Sequence, residues 1–157
     1  MATQSSLAKH DDAELAARPS LTLTRRFSAA PEKVYAAWAD PQSLVQWFGP
    51  AAVEAGSVKA DIDLRVGGRY RISFSANGNY NEVSGVYREV VPNQKLVFSW
   101  AWHSTPERES LVTISIRPEG SGSLLVFHHA QFVDEKARDN HQRGWTEFLD
   151  KLEDYLG

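Results

Sequence analysis

The chain has no cysteine and a single methionine. Without thiols it forms no disulfide, offers no thiolate to a metal and has no thiol nucleophile, a composition that suits a cytoplasmic protein. Positive charge is also scarce and scattered. Against 20 acidic residues stand 17 Lys and Arg, a net charge of −3, so the chain lacks the basic footprint that nucleic acid needs. No run of about 18 apolar residues is present to span a membrane, and the N-terminus has no apolar segment of the secretory type. Internal repeats and linker-like composition are missing too. The 157 residues are therefore expected to form one domain from residue 20 to 157 behind a flexible tail over 1–19.

Aromatic residues are what the chain has in quantity: five Trp, five Tyr and seven Phe. The chain's organising stretch is its last one, NHQRGWTEFLDKLEDYLG. Trp145, Phe148, Leu149, Leu152, Tyr155 and Leu156 fall on one face of a helix of period 3.6, with Glu147, Asp150, Glu153 and Asp154 on the other. Burying Trp145 or Phe148 hides about 150–250 Å² each, roughly 4–6 kcal/mol at about 25 cal/mol per Å². So amphipathic a helix needs a broad apolar surface to lie on.

The remaining sequence supplies strands that could form that surface. Residues 21–27 alternate, with Leu21, Leu23, Arg25 and Phe27 on one side. Pro31 opens a helix carrying Val34, Tyr35 and Trp38, and Asp40-Pro41 opens a second whose inner face is Leu44, Trp47 and Phe48. Residues 57–66 alternate strictly, placing Val58, Ala60, Ile62, Leu64 and Val66 together, and Gly67-Gly68 reads as a hairpin turn. Five more strands follow, four of them with Tyr70, Ile72 and Phe74, then Leu96, Phe98, Trp100 and Trp102, then Val112, Ile114 and Ile116, then Leu125, Phe127 and His129 facing inward. In the strand that enters from the Asn77-Gly78-Asn79 turn, Gly85 marks a bulge or a close backbone approach. Asp134 caps the last helix. Asp11 or Asp12 could cap one helical turn near the N-terminus. The order is strand, two short helices, six strands, long helix, which packs naturally as a mostly antiparallel sheet with helices on one face.

Trp47, Phe48, Phe74, Tyr87, Phe98, Trp100, Trp102, Phe127, Trp145 and Phe148 are expected to converge between sheet and helix. Aromatic walls with a few polar groups are what small-molecule pockets use, although a stripe of aromatics also fills an ordinary core. His129 is the candidate polar anchor, as a ligand contact or a general acid or base acting on a bound molecule, or else a core histidine bonded to a neighbour or buried water. Gly144 beside Trp145 suggests that a ligand or an opposing side chain comes close to the helix backbone. His128 and His129 face opposite sides of a strand and make no metal pair; no metal, cofactor or catalytic set is assigned. Asp61 and Asp63 are expected to pair with Arg69 and Arg71 across a hairpin, and the acidic helix face is expected to be solvated.

Four segments in this order, FSAAPEKVYAAWADPQSLVQWFGP, VGGRYRISF, GVYREVVPNQKLVFSW and FHHAQF…HQRGWTEFLDKLEDYL, resemble the AHSA1-like (activator of Hsp90 ATPase homologue 1-like) type of the SRPBCC or START/Bet v 1-like superfamily. The resemblance covers roughly residues 20–157. It implies a helix-grip fold of class α+β, in which a seven-stranded antiparallel sheet wraps the C-terminal helix and leaves a cavity. The inward aromatic pattern and the resemblance together lead to the expectation that a small hydrophobic or aromatic molecule binds there without being transformed. The alternatives are a stress-related interaction module that stimulates a chaperone ATPase, or a cavity enzyme of cyclase or hydrolase type. A chaperone or a second copy of the chain, as a homodimer, would be the protein partner.

Overall fold

The computed structural model describes residues 13–157. Residues 13–17 are helical, while Asp11 and Asp12, the expected caps, lie outside the described residues. Strand β1 (Leu21–Phe27) is followed by two short helices, α1 (Pro31–Ala39) and α2 (Pro41–Leu44). Proline occupies the first position of both, where the missing N–H costs nothing, and the Asp40 side chain accepts from the Gln42 N–H at 3.1 Å to cap α2. Strands β2 (Lys59–Ile62), β3 (Arg69–Ala76), β4 (Asn79–Val91), β5 (Lys95–Trp102), β6 (Ser110–Glu119) and β7 (Gly122–Ala130) precede the long helix α3 (Glu135–Leu156).

The seven strands form one antiparallel sheet in the order β1-β7-β6-β5-β4-β3-β2, so the first strand closes against the last. Two-residue turns join β3 to β4 and β6 to β7. Asn77 and Gly78, at φ 53° and 77°, adopt the left-handed pair that a tight hairpin requires. The sheet curves around α3, whose buried stripe is Trp145, Phe148, Leu149, Leu152 and Leu156. Asp134 caps this helix by accepting from the Ala137 N–H at 2.8 Å, and the helix continues unbroken through Gly144.

Two elements are shorter than their patterns predict. Helix α2 ends at Leu44 rather than running to Phe48, because the chain tightens into turns in which Gln46 and Trp47 donate three residues back. Both aromatics are still buried, and the Trp47 indole donates to the Ala37 carbonyl at 2.9 Å, satisfying one open acceptor at the end of α1. Strand β2 ends at Ile62, leaving Leu64 38% and Val66 63% exposed rather than inward. Here the chain leaves β2 to reach β4: Gly67 donates to the Tyr87 carbonyl at 2.8 Å and Tyr87 returns a bond to Gly68 at 2.9 Å. Tertiary bonds to a third strand override the local alternation.

Gly85 is required by close approach. A Cβ there would lie 1.9 Å from the Ser99 carbonyl oxygen, which also accepts from the Tyr70 hydroxyl at 2.6 Å. Charge pairing is partly as expected. Arg71 pairs with Asp61 across the β2–β3 register at 3.3 Å, whereas Asp63 pairs with Arg65 of its own loop at 2.9 Å and not with Arg69. The acidic face of α3 is not simply solvated. Arg25, on the inner side of β1 with a side chain only 19% exposed, reaches Asp150 at 2.7 Å and Glu153 at 3.6 Å. Glu147 accepts from the Ala51 N–H at 3.2 Å. No described helix is long and apolar enough to cross a membrane.

Candidate functional site

The packing of α3 against the sheet leaves an opening near the N-terminal half of the helix. A pocket of about 390 Å³ lies there between α3, the ends of β3 and β5, and the β3–β4 turn. That volume is at the small end of the range for ligand sites, roughly 300–1,000 Å³. Its walls include Phe74, Trp100, Trp102, Trp145 and Phe148, and Asn77, Asn79, Asn81 and Asn140 also line it. No Asp, Glu, Lys or Arg lines it among the described residues.

The other expected site residues lie elsewhere. Phe48, Tyr87 and Phe98, with Trp100, border a second void of about 20 Å³ deep in the core, room for one water at most. Trp47, Phe127 and His129 line neither space. Phe127 is fully buried with its ring 4.3 Å from that of Trp145, and Trp47 packs edge-on against Trp38 at 4.7 Å. Phe48 fills the centre, 4.8 Å from Phe148 and 6.0 Å from Phe74. Aromatic contact at these distances is core packing.

His129 faces inward as alternation requires, but it does not offer a nitrogen to the pocket. The Trp145 indole, which can only donate, gives its N–H to His129 Nδ1 at 3.0 Å. The neutral ring therefore carries its proton on Nε2 and donates to the Ser110 hydroxyl at 2.7 Å, which in turn donates to the Trp100 carbonyl at 3.2 Å. Burial first, then His141 and His128 nearby, holds the His129 pKa well below the ordinary 6.5. A protonated ring would also set an Nδ1–H against the indole N–H. His129 is thus a saturated core histidine that ties β7 to α3 and β6, and the role of polar anchor passes from it. On the opposite face, His128 Nδ1 bonds the Thr22 hydroxyl at 2.8 Å.

His141 is the histidine at the pocket wall. Its Nε2 accepts from the Trp102 indole at 3.0 Å, which puts its proton on Nδ1, and Nδ1 donates to the Ala137 carbonyl one turn back at 2.7 Å. Burial lowers its pKa, against the opposing pull of that carbonyl. The rings of His129 and His141 lie 5.2 Å apart, each held by an indole donor. The sequence carried a signal for this residue: counting back from Trp145 and Phe148 by helical spacing reaches His141 and Gly144.

Of the two explanations expected for Gly144, an opposing side chain is removed. Among the described residues, apart from its own helix backbone and chain neighbours, no heavy atom lies within 4 Å of where its Cβ would stand, so no strand side chain approaches the helix at this position. The space belongs to the pocket, whose wall Gly144 forms. Among the described residues no three of His, Asp and Glu come together as metal ligands would.

Comparison with known proteins agrees with this architecture. The AHSA1 protein from Silicibacter pomeroyi is 32% identical over 88% of this chain and 97% of its own, with a TM-score of 0.75. A protein from Chromobacterium violaceum is 27% identical over 87% of this chain and 96% of its own, with a TM-score of 0.76. CalU16 from Micromonospora echinospora is 27% identical over 88% of this chain and 76% of its own, with a TM-score of 0.65. None of the curated proteins compared matches the chain significantly. The sequence model of the family described as activator of Hsp90 ATPase homolog 1-like protein matches residues 28–157. With that match spanning most of the chain and the helix-grip fold behind it, the protein belongs to the activator of Hsp90 ATPase homolog 1-like family.

Proposed function

We propose that the protein binds a small, uncharged, apolar or aromatic molecule in the pocket beside α3 and does not transform it. The supporting observation is the pocket of about 390 Å³ walled by five aromatic side chains and, among the described residues, lined by no ionised group. An aromatic ligand gains from stacking and edge contacts there. A charged group buried there would lose its hydration without gaining a partner. Both histidines nearest the wall hold their ring nitrogens in hydrogen bonds, which leaves neither free as a general base.

Native mass spectrometry of the purified protein, followed by thermal shift with a panel of apolar and aromatic molecules, tests the reading. A co-purified mass, or a Tm that climbs with ligand concentration as linkage requires, is expected. A clean mass with no shift across the panel rejects it. The family's description names activation of the Hsp90 ATPase, and the exposed Leu64 and Val66 are apolar surface that such a contact could use. A changed ATPase rate of purified Hsp90 on adding the protein would move the reading to that function.

A further inference from the structure

Next to the main pocket lies a second chamber of about 190 Å³. Four residues, Trp100, Trp102, Asn140 and His141, line both spaces and therefore stand between them. Of these, Trp102 comes from the sheet and His141 from α3, and the bond that joins them across the divide is the single 3.0 Å indole–imidazole hydrogen bond. The bond is partly buried, and the Trp102 side is not locked into the core as Trp100 is, since Trp102 is only half-buried. The two chambers differ in charge. Among the described residues the main pocket has no ionised lining residue, whereas the lining of the second includes the exposed Arg108 together with Thr105 and Ser110.

We propose that the Trp102–His141 hydrogen bond is a partition that sets which ligands the pocket accepts. Closed, it restricts them to uncharged aromatic molecules that end within the main chamber. Opened, it admits longer aromatic molecules whose acidic end reaches Arg108. The proposal rests on the reading that the main pocket binds a small molecule. Its physical basis is that one neutral hydrogen bond contributes little net free energy, so a ligand that fits both chambers can displace it. A guanidinium then supplies the partner that an acid lacks in the main pocket.

The test compares two probes, naphthol and naphthyloxyhexanoic acid, by calorimetric titration into the full-length protein, H141A and W102F. H141A removes the ring that closes the divide; W102F keeps a ring and removes the donor, and it decides the question alone if H141A does not fold. Wild type is expected to prefer naphthol. The ratio of acid to naphthol affinity is expected to rise at least about tenfold in H141A and by a smaller factor in W102F. Adding R108A to H141A should remove most of the gain, and a gain that survives overturns the part assigned to Arg108. If naphthol binds and the ratio is unchanged in both variants, the partition is overturned while the pocket reading stands. If neither probe binds any of the proteins, both fall.

Discussion

Trp145 on the C-terminal helix donates its indole N–H to Nδ1 of His129 on strand β7, 3.0 Å away in a fully buried setting. That bond fixes the imidazole tautomer and, through Ser110 and the Trp100 carbonyl, links helix α3 to three strands. Trp145 also touches the rings of Phe127 at 4.3 Å, Trp100 at 4.9 Å and Phe148 at 5.1 Å. One residue thus carries both the packing and the polar register of the helix against the sheet.

Trp145→Ala is therefore expected to cost roughly 3–5 kcal/mol, as large-to-small changes in a core do. Trp145→Phe should cost less, about 1–3 kcal/mol, much of it from leaving His129 Nδ1 without a donor. Urea denaturation of both variants measures this. A loss below about 1 kcal/mol for the alanine variant would contradict the burial of the helix face.

Gly144→Ala should stabilise the protein and weaken ligand binding together. The position is mid-helix with open space around its Cβ, so alanine gains up to about 1 kcal/mol of helix propensity. The added methyl projects into the pocket wall. A Tm increase with a weaker thermal response to ligand is the expected pair of results; a destabilised variant would show that the site is tighter than the structure has it.

Gly85→Ala should behave in the opposite way. Its Cβ would stand 1.9 Å from the Ser99 carbonyl oxygen and 2.8 Å from the Tyr70 ring. Neither the β5 backbone nor the Tyr70 side chain, held through its hydroxyl at 2.6 Å, can move freely. A loss of about 1–3 kcal/mol or more is expected from overpacking, read as a lower urea midpoint. Unchanged stability would mean that β4 and β5 separate easily there.

Acid should destabilise the fold through the buried His129 and the half-buried His141. Burial lowers the pKa of both His129 and His141 from 6.5, so between the folded and unfolded values the unfolded chain binds more protons. Their contribution is complete above the unfolded pKa of about 6.5 and is lost as pH falls from there toward the folded values, with a slope of at most about 1.4 kcal/mol per pH unit for each histidine. Unfolding free energies measured from pH 8 to pH 5 should be level above neutrality and fall below it. His141→Gln should make the fall shallower; an equal slope in that variant would remove His141 from the effect.

Much of the fold was legible because its causes are local. Alternation along β3, β5, β6 and β7, the prolines at the starts of α1 and α2, the Asp134 cap and the Asn77-Gly78 turn each depend on neighbours a few residues away. Where the pattern misled, at Leu64 and Val66, the strand had already ended at Ile62, and by Gly67 the chain is bonded to the distant Tyr87 of β4. Facing was thus predictable, and a strand's end was not.

The sequence by itself determined a single antiparallel sheet gripping one amphipathic helix, and an inward set of aromatics too large to leave in water. Only the tertiary structure decided how that set divides: Phe74, Trp100, Trp102, Trp145 and Phe148 line an opening, while Trp47, Phe127 and His129 are packed solid. Inward orientation follows from periodicity along one element. Whether a space remains in front of an inward side chain depends on the curvature of seven strands and the tilt of the helix across them. Partners such as Trp102 and His141, 39 residues apart, are brought together by that geometry alone.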